Sequence, residues 1–463
     1  METSVFDLVI RNGTVVTASD TARADIGVRD GAIAAIGRGL AGRETIDAEG
    51  RYVLPGGVDT HCHVEQMTAA GIMNADTFES ATRSAAFGGT TTIISFAAQH
   101  RGMDLAEVVA DYHRRAEAGA MIDYAFHMIV TDAGERNLAQ LPRLVRDGHG
   151  SIKLFMTYDP LIVDDAAILS LMQLAKAEGA MICVHAENHS MIAWASARLI
   201  EAGCTAPKYQ ALAHPREAEA EAIGRLIALC EYMDQPVTVF HVSTSEGLAL
   251  IAAARRRGVR IFAETCPHYL LLTADDMDKP GMEGAKWMCS PPLRRTSDQE
   301  ALWQGLAAGD LTIVSSDHAP FRHDATGKLR AGPTASFKQI ANGMPGLETR
   351  MMLMFDQALQ GRISLNRMVD LTATTPAKTY NLHPRKGTIA VGADADLVLW
   401  NPETRVTLAD AMIHDGTGYT PFAGRTIQGW PETVLVRGTP VVRDGATHVP
   451  PGFGQFLRTS GKL

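Results

Sequence analysis

The chain has 463 residues, 46% hydrophobic and 21% charged, with a formal net charge of -9 at pH 7; that is too long for one ordinary domain unless the domain is a barrel, so a large domain with a smaller companion is expected. The acidic balance, with no Lys/Arg-rich block beyond the short cluster Arg255-Arg256-Arg257, argues against a nucleic-acid partner. An amino terminus without a signal pattern, no run near the roughly 18 apolar residues of a membrane span, and six cysteines without CxxC spacing point to a cytoplasmic protein with reduced thiols and no membrane role.

In chain order, segments 6–16, 24–28, 32–36 and 45–47 mix apolar and polar residues in short runs punctuated by Asn12-Gly13, Asp30-Gly31 and Glu49-Gly50. That is the pattern of short antiparallel strands joined by tight turns. Eight apolar strands follow near residues 53–59, 90–97, 124–130, 151–156, 180–185, 236–242, 260–265 and 311–316. Amphipathic helices at 76–87, 104–118, 165–178, 217–232 and 246–257 lie between them, each opened by an acidic residue suited to a helix N-terminus. Eight strand–helix units predict an α/β fold, a (β/α)8 TIM barrel. Beyond it, 386–389, 395–400 and 433–438 return to the strand style of the amino terminus, with turns at Gly392 and Asp444-Gly445. Neither end can bury a core alone. Residues 1–54 and 380–463 are therefore expected to combine into one small β-sandwich beside a catalytic barrel of residues 55–379, with the tail after Pro450 as an extended arm.

Residues that carry chemistry fall at the carboxyl ends of these strands, where a barrel keeps its functional groups. In Gly56-Gly57-Val58-Asp59-Thr60-His61-Cys62-His63 the two histidines are two residues apart, so their side chains turn the same way, toward one ion, and Cys62 turns away. Lys153 sits in an apolar run, His185 and His241 each close one, and Asp317 follows another. Unrelated core polar residues have no reason to gather at the same end of successive strands. The same alternation points His318 away from the others, and His189 and His268 read as residues that support the ligands or the fold, not as ligands.

These residues resemble a family. The runs at 55–63, Ser151-Ile152-Lys153-Leu154-Phe155-Met156-Thr157-Tyr158, Val184-His185-Ala186-Glu187-Asn188, His241-Val242-Ser243, Glu264-Thr265-Cys266-Pro267, Ser290-Pro291-Pro292-Leu293-Arg294 and Ser316-Asp317-His318-Ala319-Pro320-Phe321 are similar to those of the cyclic-amide hydrolases of the amidohydrolase superfamily. Within it the chain looks most like dihydropyrimidinase and D-hydantoinase, over nearly its whole length. The resemblance implies two zinc ions held by His61, His63, Lys153, His185, His241 and Asp317, with Lys153 carboxylated on its amine and bridging the ions together with a hydroxide. Elementary electrostatics agrees about the lysine. An ammonium, with a reference pKa near 10.4, would be repelled by two divalent cations, whereas a carbamate is an anion with two oxygens, suited to ions roughly 3.5 to 4 Å apart.

The implied reaction is hydrolysis of a small cyclic amide, a 5,6-dihydropyrimidine or 5-substituted hydantoin, to an N-carbamoyl amino acid. Asp317 would shuttle the proton from water to the departing nitrogen, and Tyr158 would donate a hydrogen bond to the developing oxyanion. Ser290 and Asn342 match the positions whose main chain holds the substrate. The family commonly forms homotetramers. The chain departs from its pattern at 64–73, Val-Glu-Gln-Met-Thr-Ala-Ala-Gly-Ile-Met, where relatives carry a Met-Pro-Phe-Gly-Gly-like loop that lines the pocket for the ring substituent. Glu65 and Gln66 there are candidate acceptors for a polar substrate. That departure leaves a related ring-opener of allantoin, dihydroorotate or a cyclic imide as the second reading. A non-catalytic structural relative is the third, and the full set of six metal ligands argues against it.

Overall fold

The computed structural model describes residues 5–462, so the outermost positions of the expected domain limits, 1–4 and 463, lie outside the described residues. Its first five strands, β1 (Phe6–Val16), β2 (Thr21–Arg29), β3 (Ala32–Gly37), β4 (Gly42–Asp47) and β5 (Tyr52–Pro55), belong to a sheet shared by both chain ends. The barrel follows: β6 (Gly57–Cys62), β7 (Thr90–Ala98), β8 (Asp123–Ile129), β9 (Ser151–Phe155), β10 (Met181–His185), β11 (Val237–Val239), β12 (Ile261–Thr265) and β13 (Ile313–Val314). Each pairs in parallel with the next in chain order. The final strands, β14 (Leu397–Thr407), β15 (Thr426–Val436), β16 (Thr439–Arg443) and β17 (Ala446–Thr447), return to the first sheet.

The barrel strands are buried along almost every residue, because helices cover their outer faces and side chains fill the interior. Those helices open on side-chain caps at or within two residues of the expected starts: Asp104 accepts from the Glu107 amide, Asp164 from Ala167 and Thr244 from Gly247. The seam between β13 and β6 is closed by the His63 amide donating to the His318 carbonyl at 2.7 Å and by the Ser316 hydroxyl donating to the His61 carbonyl at 3.1 Å. Beneath it, fully buried Arg350 places Nε 3.2 Å from Asp59 Oδ2 and donates to the Val314 carbonyl at 2.9 Å, tying the first barrel strand to the last.

The end sheet is joined where β14 runs antiparallel to β5, with Leu397 opposite Pro55 and Val398 opposite Leu54. Ile26, Val53, Leu397 and Leu435 belong to its own apolar core, and Trp400 stacks on Phe355 of the barrel helix Thr349–Leu359 at 4.5 Å between centroids. Asp30-Gly31 and Asp444-Gly445 are two-residue hairpin turns with positive φ at all four positions, as expected. Asn12-Gly13 is not a turn. It is a bulge inside β1, which there exchanges its parallel neighbour β4 for β5 along one edge.

Three other expectations change. The strand expected at 53–59 is two strands in two sheets: the Gly56 amide donates to the Asp396 carbonyl of the end sheet and the Gly57 amide to the Gly89 carbonyl of the barrel, and Thr91 packs so close that a Cβ on Gly56 would meet it at 2.0 Å. Residues 386–389 are not a strand, because Lys386 is drawn into a buried cluster of carboxylates. Finally, the tail folds back on its own barrel instead of standing free. It trades backbone hydrogen bonds with Tyr124, Gly148 and Gly179 at the amino ends of β8, β9 and β10, covering the barrel floor opposite the site.

Candidate metal centre and substrate cavity

At the carboxyl ends of the barrel strands lies a cavity of about 460 Å³ whose walls include His61, His63, Lys153, Tyr158, His185, His241, Ser290, Asp317 and Asn342. Tyr158, His241 and Asp317, each just past a strand end, have φ of 71°, 42° and 44°. Non-glycine residues adopt that region at a cost of order 1–3 kcal/mol each, and such strain clusters where a fold must aim side chains inward.

Three of the four histidines are oriented through their second ring nitrogen. His61 Nδ1 bonds to the buried Glu264 carboxylate, His63 Nδ1 lies 2.6 Å from Gln66 Oε1, and His185 Nε2 lies 2.7 Å from Glu187 Oε2. This carboxylate- or amide-backed imidazole is the arrangement that fixes tautomer and ring direction at metal sites. The remaining nitrogens converge: Asp317 Oδ1 is 3.1 Å from His61 Nε2 and 3.6 Å from His63 Nε2, and the His185 and His241 rings are 4.4 Å apart. Burial keeps His63, His185 and His241 below the usual histidine pKa, hence neutral with a lone pair to give. His61 is the exception. Burial opposes its charge, but Asp317 and Glu264 on either side raise it to about 9, a pocket of negative potential where a cation belongs.

Lys153 is 1% exposed, and its Nζ has no hydrogen-bond partner. Phe240, Phe155 and Phe96 surround the amine at 4.0, 4.9 and 5.8 Å from their ring centroids. Burial lowers its pKa to about 7, against the opposing pull of Glu264 and Asp317. His241 Nδ1 is likewise buried without a partner. A buried polar atom without a partner costs of order 1–3 kcal/mol, so the protein retains these two for something that binds there. Imidazoles, a carboxylate and a lysine amine whose free form is accessible near neutral pH are a donor set for divalent metal.

A model of the amidohydrolase family matches residues 52–441, and one of the urease alpha-subunit N-terminal domain matches residues 1–54. The chain belongs to the amidohydrolase family. This amidohydrolase is 42% identical to a D-hydantoinase of Ralstonia pickettii, the alignment covering 98% of both chains. A solved D-hydantoinase structure superposes with a TM-score of 0.96 at 42% identity, over 99% of this chain and 100% of that one. A dihydropyrimidinase from Brevibacillus agri gives 0.95 at 41% identity, over 98% of each. As an amidohydrolase of that branch, the protein is a hydrolase of carbon–nitrogen bonds.

On the substrate side of the amidohydrolase cavity, burial holds the Tyr158 phenol well above its ordinary pKa, so it is a neutral hydrogen-bond donor. The Ser290 hydroxyl donates to Glu187 Oε2 at 3.0 Å and also faces the Tyr158 phenol, and the Asn342 side-chain oxygen accepts from Gln210 Nε2 at 3.1 Å. Both side chains are thereby committed to protein partners. Glu187 also meets His214 Nδ1 at 2.9 Å, so one carboxylate orients His185, His214 and Ser290 together. Sequence reasoning assigned no role to Glu187, Glu264, Gln210 or His214. Glu187, two residues beyond His185 on the same side of the chain, and Glu264, in the run Glu264-Thr265-Cys266-Pro267, each left a signal.

The divergent loop is also resolved. Glu65 does not reach the cavity; its carboxylate accepts from the Phe78 amide at the start of a helix, and its carbonyl takes Arg115. Gln66 lines the cavity but is occupied with His63. His318 points away as expected, to Asp76 at 2.8 Å, while His189 lines the cavity and faces Asp159 at 3.1 Å. Asp76, His318 and Asp415 form a second compact group of ligand-type atoms. His318 Nδ1 accepts from the Gly346 and Leu347 amides, which leaves Nε2 protonated toward Asp76 with no lone pair for an ion.

Proposed function

We propose that this amidohydrolase opens the amide bond of 5,6-dihydropyrimidines or 5-substituted hydantoins, giving N-carbamoyl amino acids. His61, His63, Lys153, His185, His241 and Asp317 would hold two zinc ions. The observation that carries the reading is the unpartnered, fully buried Lys153 amine among these donors. Burial lowers its pKa to about 7, which makes the free amine, the form that adds to carbon dioxide, accessible near neutral pH. The product is an N-carboxylate, with one proton released. That group has the charge and the two oxygens to bridge a metal pair. When bound, the ions would supply an acidified water as nucleophile and polarise the substrate carbonyl.

The residues of the chain do the rest. His61 and His63 keep the Asp317 carboxyl well below its usual pKa although burial opposes this, so it begins as a base able to take the proton of the attacking water. Passed to the ring nitrogen, that proton makes the departing group a neutral amide. Tyr158, protonated at any working pH, donates to the carbonyl oxygen as charge builds on it. Main-chain groups of Ser290 and Asn342 would hold the ring, which fits side chains already hydrogen-bonded to Glu187 and Gln210.

The test is ring opening by zinc-loaded protein, followed by loss of ultraviolet absorbance, across dihydrouracil, hydantoin, phenylhydantoin, allantoin, dihydroorotate and phthalimide. Turnover of the first three is expected, and turnover confined to the others would replace this reading with the second. Tyr158→Phe is expected to lower kcat about 10²–10³-fold with a much smaller change in KM, the cost of one lost oxyanion donor. Undiminished kcat would remove Tyr158 from the mechanism.

A further inference from the structure

Lys328 is completely buried on the segment that follows Asp317, and no carboxylate among the described residues pairs with it. Its Nζ donates to the Ala341 carbonyl at 2.9 Å and the Met288 carbonyl at 3.2 Å. Those carbonyls lie on the two segments that carry Asn342 and Ser290. The Gly343 amide donates to the same Met288 carbonyl at 2.9 Å, so the segments meet backbone to backbone exactly where the lysine grips both. From the other side, fully buried Gln210 donates through one Nε2 to the Cys289 carbonyl and to Asn342 Oδ1. Burying an amine with two carbonyls and no counter-ion is unfavourable, and burial accordingly lowers its pKa to about 7. A hydrophobic side chain would fill the space at less cost, so the retained hydrogen bonds point to a requirement for position.

We propose that Lys328 and Gln210 are positioning residues that staple segments 288–290 and 341–343 into one rigid edge, so that main-chain donors and acceptors of Ser290 and Asn342 stand at the spacing of a cyclic amide or imide. This rests on the reading of Ser290 and Asn342 as the ring-holding positions. Lys328 is not among the residues that line the cavity, and it touches neither Asp317 nor Tyr158, so its influence falls on how the ring is held. Loosening the edge misplaces the ring before and during reaction alike, and binding common to both states appears in KM.

The experiment is steady-state kinetics with dihydrouracil and hydantoin on zinc-loaded Lys328→Met, Lys328→Gln and Gln210→Met, with metal content and thermal unfolding measured on the same preparations. Lys328→Met and Gln210→Met are expected to raise KM about tenfold with kcat within about twofold and metal content unchanged. Lys328→Gln, which keeps N–H donors, is expected to recover part of the loss. Folded, metal-loaded variants with unchanged KM would overturn the proposal, as would a fall in kcat and metal content at constant KM, the mark of a merely structural lysine. Should Lys328→Met fail to fold, Lys328→Gln decides by a smaller rise in KM, because Gln210 itself lines the cavity. Failure of the unaltered protein to open any ring is a separate result and would strike the proposed activity itself.

Discussion

Lys153→Ala is expected to lower turnover of hydantoin or dihydrouracil roughly ten-thousandfold or more, and to lower bound metal with it. Histidines alone cannot balance two divalent cations. Asp317 and Glu264 are the carboxylates that bear on the His61 side of the site, and Glu264 is occupied with His61 Nδ1, so under the proposed two-zinc reading an N-carboxylated Lys153 would supply the further anion. Removing the side chain takes away that bridge and leaves a hole walled by Phe96, Phe155 and Phe240. Stability is not expected to fall in proportion, because the amine has no partner to lose. Metal content by plasma mass spectrometry, turnover and a urea melt on one preparation separate these effects. A variant that keeps both metal and activity would eliminate Lys153 as a ligand.

The second large effect is on stability and lies far along the chain from the ligands. Lys386→Met is expected to destabilise the protein by about 3–5 kcal/mol, read as a shift of the urea midpoint. Lys386 is fully buried, with Nζ 2.5 Å from Asp123, 2.8 Å from Asp396 and 2.9 Å from Asp394. Burial works against its charge, yet the three carboxylates hold its pKa above the ordinary lysine value. Asp123 opens β8 of the barrel, whereas Asp396 immediately precedes β14 of the end sheet, so the ammonium ties the two together. Without it the Asp396 carboxylate is left buried and uncompensated; Asp123 keeps Arg437. Adding Asp396→Asn should recover part of the loss. Arg385→Ala, which breaks only an exposed partner of Asp394, should cost no more than about 1 kcal/mol. Equal melts for Lys386→Met and the unaltered chain would show that the cluster contributes nothing to the junction.

Repeated patterns are what made the fold legible beforehand. Long apolar runs alternating with amphipathic segments specify parallel strands and covering helices, because those periods state which faces must leave water. The i, i+2 spacing of His61 and His63 likewise states that two side chains share a direction. Lys386 shows where such reading stops. Its neighbours Gly387, Thr388 and Ile389 have strand-like character, but the cost of burying a cation decides the local structure, and the carboxylates that meet it include one 263 positions away. The tail is similar: beyond Pro450 three glycines accompany Phe453, Phe456 and Leu457, and the tail's destination is set by open backbone groups and an aromatic cluster around Phe126 on a barrel floor built elsewhere.

By itself the sequence determined the barrel, the joining of both chain ends into one small β domain, and a set of metal-ligating residue types at strand ends, since each follows from local period and residue chemistry. Only the tertiary structure decided that Glu264, Gln66 and Glu187 back the histidines, that Glu65 leaves the cavity, and that Lys328 and Gln210 join the two segments on its substrate side. His61 and Glu264 are 203 residues apart, and Lys328 reaches Met288 across 40. Hydrogen-bond partners at such separations are chosen by strand register and barrel closure, which bring together groups whose positions along the chain bear no period relating them.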